Sequence, residues 1–71
     1  MEDYARARDA YQKAVEVDPK GQVDDLYLIA VIDEHFGKGP QAQGEYLKYM
    51  AQAPGGKYVA QAKERVTALN K

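Results

Sequence analysis

Between residues 3 and 19 the chain runs Asp3-Tyr4-Ala5-Arg6-Ala7-Arg8-Asp9-Ala10-Tyr11-Gln12-Lys13-Ala14-Val15-Glu16-Val17-Asp18-Pro19. Tyr4, Ala7, Tyr11, Ala14 and Val15 follow one another at steps of three, four, three and one, which gathers them on one face of a helix. Arg6, Arg8, Asp9, Gln12, Lys13 and Glu16 supply the polar side. The stretch Asp18-Pro19-Lys20-Gly21 stops it: proline cannot continue a helix, and glycine is expected to take a left-handed turn. A first helix is therefore expected over residues 2–17.

Three more helices follow outward from this one. Residues 23–36 hold an apolar run, Leu26-Tyr27-Leu28-Ile29-Ala30-Val31-Ile32, which a buried strand could also show. The helical neighbours, the polar continuation Asp33-Glu34-His35 and the stop Gly37-Lys38-Gly39-Pro40 favour a helix. Asp24 or Asp25 suits its first turn, where free amides and the helix dipole favour an acid. Apolar nearly all round, it is expected at the centre. A third helix, residues 40–53, opens on Pro40 and buries Ala42, Tyr46, Tyr49 and Met50. Gly44 inside it predicts a close helix approach that needs a small residue. After Pro54-Gly55-Gly56, a fourth helix over residues 57–70 shows only a thin stripe, Val59, Ala62, Val66 and Leu69. One thin stripe suits a lid at the end of a stack.

The first and third helices repeat each other. Alanine precedes the aromatic by four residues (Ala7 to Tyr11, Ala42 to Tyr46) and the proline by twelve (Ala7 to Pro19, Ala42 to Pro54). The two prolines lie 35 residues apart, a period typical of stacked helical pairs. The stretch from Asp3 to Pro19 closely resembles the second helix of a tetratricopeptide repeat. Leu26, Ile29 and Ala30 resemble the large, large and small positions of a first helix, with Gly37 in the turn and Ala42, Tyr46 and Pro54 in the next second helix. Three departures are evident: Asp33 stands where the family usually has tyrosine, Tyr49 where it has alanine, and Lys38-Gly39-Pro40 replaces the usual opening. They weaken the packing side of the resemblance and leave the repeat itself standing.

The resemblance implies an all-α stack of four antiparallel helices in one domain. Residues 1–21 would be the second helix of a partial repeat, 22–56 a full repeat and 57–71 a capping helix. It further implies a protein–protein interaction scaffold, with a peptide or helix of a partner in the groove of the first helices. The matching groove positions are Tyr27, Val31, Glu34 and His35, joined by Tyr58, Gln61 and Arg65 of the last helix. Tyr27 suits either groove or core. The lysine and asparagine set that clamps a peptide carboxylate in some relatives is missing. The closing stretch from Tyr46 to Arg65 is also similar to that of bacterial repeat proteins of the cell envelope. Lacking its own first helix, the opening segment would leave Tyr4, Tyr11 and Ala14 partly exposed, as in a piece of a longer array. Self-association or helix exchange through that face is the alternative reading, a structural module with no separate ligand.

Composition narrows the function classes. In 71 residues there is no cysteine and one histidine, His35, so Cys–His chemistry and a multi-histidine zinc site are excluded. No cofactor is expected and no catalytic set is evident. The acidic pairs Asp24-Asp25 and Asp33-Glu34 are taken as a helix start and a solvated helix end rather than as acid and base. Net charge is −1, which argues against nucleic acid as a partner. Residues 1–36 carry nine acids against four bases, and residues 57–71 one acid against four bases. The seven-residue apolar run is far short of the ~20 needed to cross a bilayer, and no signal peptide is expected in the acidic opening. Cytoplasm and periplasm both remain open.

Overall fold

The computed structural model describes residues 3–70 and shows four helices with no strand among them: α1 (Tyr4–Val17), α2 (Asp25–His35), α3 (Gly39–Gln52) and α4 (Val59–Leu69). The expected start of the first helix at residue 2 lies outside the described residues. Each helix packs on the next along the chain, α1 on α2, α2 on α3 and α3 on α4. The chain is all-α.

Local signals explain the boundaries. The Asp3 carboxylate accepts the Arg6 amide at 3.1 Å and so caps α1. The turn after α2 is closed by two backbone bonds, Gly37 N–H to the Glu34 carbonyl at 3.0 Å and Lys38 N–H to the Asp33 carbonyl at 2.9 Å. This pair of bonds is the Schellman arrangement, and it needs a left-handed residue, supplied by Gly37 at φ +79°. Gly37 alone among the described residues has positive φ, so Gly21 does not take the left-handed turn expected of it. Gly21 instead lies close against the Asp18 side chain. A side chain there would run into the Asp18 carboxylate, which accepts the Gly21 amide at 3.0 Å.

The periodicity expected between the first and third helices appears in their lengths. Both α1 and α3 span 14 residues, and both α2 and α4 span 11. The caps Asp18 and Ala53 share an extended conformation (φ −141° and −135°), each immediately before a proline. Gly44 departs from expectation: it is exposed, and a methyl group there would meet nothing within 4 Å. No close helix approach depends on it.

The core is Leu26 and Ala30 from α2, Ala42, Tyr46 and Tyr49 from α3, and Ala62 from α4. Val15, Met50, Val59, Val66 and Leu69 pack against it in part. α1 buries none of its residues fully. α4 buries Ala62 alone and turns Ala60, Lys63, Glu64 and Thr67 to solvent. A shift of 34 residues places Leu26, Ile29 and Ala30 of α2 on Ala60, Lys63 and Glu64 of α4. The face that α2 buries is thus small or charged in α4.

Candidate functional site

Two adjacent carboxylates at the end of α2 organise the two sides of the molecule. A helix turns about 100° per residue, so Asp33 and Glu34 leave α2 in different directions. The expectation that this pair is a solvated helix end fails at Asp33. Asp33 is fully buried and faces α1 and α3. Arg8 of α1 grips it with a fork, Nε to Oδ1 at 2.7 Å and Nη2 to Oδ2 at 3.2 Å, and the Gln41 amide donates to Oδ2 at 3.2 Å. Burial alone would push the Asp33 carboxyl up, but the bond and charge of Arg8, with the charge of Lys38, hold it below its usual range. The departure at Asp33 has a definite structural role. It ties three helices together.

Glu34 points to the other side. It accepts the Tyr46 hydroxyl at 2.8 Å on Oε1, and Arg65 of α4 donates to both of its oxygens, from Nε at 3.1 Å and from Nη2. The bonds from Arg65, ahead of that from Tyr46, keep the Glu34 carboxyl below its ordinary value, against a smaller push from burial. Burial, reinforced by Glu34, drives the Tyr46 phenol well above its own.

Next to this pair the tyrosines form a layer. Tyr27 stacks on Tyr58 with ring centres 4.5 Å apart and planes 13° from parallel, and its ring also lies 5.7 Å from Tyr46 and 6.1 Å from Tyr49. Tyr49 stands where alanine was expected by resemblance, and it too tightens the structure. Its hydroxyl donates to Asp24 Oδ1 at 2.6 Å and accepts the Tyr58 amide at 3.1 Å, joining the starts of α2 and α4. Asp24 occupies the cap position of α2 without capping it, because its carboxylate is taken by Tyr49. Gly56 leaves space for the phenol: a side chain there would sit 2.9 Å from Tyr49 Cζ and 3.1 Å from the Ala53 carbonyl. Burial pushes the neighbouring Asp25 carboxyl up, with help from Asp24.

The seven expected groove residues divide as follows. Tyr27, Val31 and Glu34 share one face of α2, and the structure sets Tyr27 against Tyr58 and Glu34 against Arg65. Val31 is exposed between them, as is Gln61 on α4. Tyr27 is half-buried, with part of its ring in the core layer and part at the surface. His35 leaves this group. Its ring lies 4.3 Å from Tyr4 of α1 and 5.8 Å from Phe36, on the opposite side. The three residues of the expected self-association face, Tyr4, Tyr11 and Ala14, are half-buried, and Tyr4 is partly covered by His35 and Phe36.

A cleft between α1, α2 and α3 lies away from this face. About 240 Å³ is bounded by Gln12, Val15 and Glu16 of α1, Leu26 and Ile29 of α2, and Glu45 and Lys48 of α3. Among the described residues no group of three His, Asp or Glu side chains is placed to hold a metal ion. No helix there is long and apolar enough to cross a membrane.

Sequence reasoning missed Arg8, Gln41 and Glu45 as partners of Asp33. The one available signal was an acid at a position whose helical neighbours, Leu26, Ile29 and Ala30, mark a buried face. Comparison of the chain with protein-family models, with curated proteins and with solved structures finds no match.

Proposed function

We propose that this chain is a non-catalytic scaffold of the tetratricopeptide type that takes a peptide or helix of a partner protein across its α2–α4 face. One observation carries the reading: residues 31 apart in sequence, Tyr27 with Tyr58 and Glu34 with Arg65, pair on either side of the exposed Val31. Its tyrosines offer large contact area with few torsions to freeze, and a preformed ion pair offers donors and acceptors at a fixed spacing. Prepaired side chains reduce the ordering cost of association, which suits a surface made for binding.

The test is a selection of displayed linear peptides on the immobilised chain, followed by titration of the enriched peptides into isotope-labelled protein. Shifts confined to Tyr27, Val31, Tyr58 and Gln61, and loss of binding in Val31→Lys, are the expected result. Enriched peptides that shift α1 and spare this strip would overturn the proposal.

A second reading draws on a different observation. α1 has no fully buried residue and holds Tyr4, Tyr11 and Ala14 only half-covered. A structural module that self-associates through α1 would cover them. Sedimentation equilibrium separates the two, since only this reading requires a dimer that Tyr11→Lys dissociates.

A further inference from the structure

Glu45 is the one described residue with a buried side-chain oxygen that lacks a hydrogen-bond partner. It projects from α3 into the junction of three helices. From α1 come Arg8, whose Nη2 lies 3.6 Å from Glu45 Oε2, Gln12, which accepts from Arg8 at 3.0 Å, and Glu16 across the cleft. From α2 comes the buried Asp33, and from the α2–α3 turn and α3 itself come Lys38, Gln41 and Lys48. The Arg8 fork is already spent on Asp33 and reaches Glu45 only at 3.6 Å, so a fully buried carboxyl group and a half-buried one compete for the same guanidinium. Two carboxylates sharing one cation at low dielectric favour the retention of a proton between them.

We propose that Asp33 and Glu45 share a proton and, with Arg8, form a latch that holds α1 on the rest of the stack, and that removing the proton releases α1. With the proton in place, Glu45 donates to Asp33 and its orphaned oxygen is satisfied. Without it, a second negative charge is buried against Asp33, and the strain falls on the junction that α1 closes. α2, α3 and α4 keep their own ties through Tyr49, Tyr46 and Glu34, none of which involves α1. The direction agrees: burial, then the bond and charge of Asp33, raise the Glu45 carboxyl to about 7, opposed by Arg8 and Gln41. A carboxyl raised in the folded state gives stability that is complete below its unfolded value, near 4.5, and lost as pH climbs through about 7. Asp33, shifted down, loses its contribution only below its usual value near 3.8, outside that window.

The experiment is amide hydrogen exchange, corrected for intrinsic rates, on the whole chain at about pH 5 and about pH 8. Protection of α1 relative to α3 is expected to fall on the order of tenfold across this span, and Glu45→Gln is expected to abolish the fall. His35→Gln is the control, because this ring lies against Tyr4 of α1. Its pH dependence should match that of the unaltered chain. A flat profile in the unaltered chain, an unchanged profile in Glu45→Gln, or a flat one in His35→Gln overturns the latch. Should Glu45→Gln fail to fold, the Glu45 carboxyl carbon resonance of the unaltered chain decides: titration at the ordinary glutamate pH refutes the proposal, and a midpoint near neutrality supports it.

Discussion

Asp33–Arg8 and Glu34–Arg65 are the same chemistry from adjacent residues, yet they do different work. The Asp33 side chain is 0% exposed and its arginine 24%, whereas Glu34 is 22% exposed and its arginine 45%. In the first pair, removal of either partner strands a charge in a medium that cannot solvate it. In the second, water and salt replace what is lost. The lesson is that an ion pair's importance is set by where its helix face looks, and not by the residues that compose it. The buried pair fixes the geometry of α1, while the outer one shapes a surface.

Arg8→Ala is the harshest way to break this contrast. It leaves Asp33 buried and uncompensated and is expected to cost about 3 kcal/mol in urea denaturation, a large share of what so small a domain has. Arg8→Met combined with Asp33→Leu should recover most of that loss, since apolar residues of similar size carry no desolvation penalty. If the single change proves as mild as an exposed charge deletion, the distinction between the two sides fails. Tyr49→Phe comes next. It removes the hydroxyl that bridges Asp24 and the Tyr58 amide, at an expected cost of about 1–2 kcal/mol, with the Tyr58 amide exchanging faster. Gly44→Ala, on an exposed face that belongs to neither side, should raise the thermal midpoint and stabilise by roughly 0.5–1 kcal/mol. Arg65→Ala should move the denaturation midpoint least of all, with a difference that shrinks further as salt is added. A loss matching that of Arg8→Ala would make the outer pair a structural tie rather than a surface.

The helices were legible because their signals are local. Pro19 and Pro54 after extended caps and Gly37 at positive φ act within a few residues of where they stand, whereas the cap at Asp3 went unread. Ala42, Tyr46 and Tyr49 were legible as core for the same reason, since their spacing alone puts them on one face. Gly44 and Gly21 misled, because a glycine's type records permission rather than need. Only the neighbours show that one faces solvent and the other a carboxylate.

The strip from Tyr27 to Arg65 was partly legible, as a set of positions on two helices at matching register. His35 fell away from it because one residue of helical rotation beyond Glu34 carries a side chain toward α1. Nothing in the order of residues announced that Arg8 would reach Asp33, 25 positions later, or that Glu45 would be closed in beside it. Spacing along the chain sets the faces of each helix, because backbone geometry is the same for every residue. Which charge meets which depends on how those faces pack, and at Asp33 that packing turned an acid at a helix end into the centre of the junction.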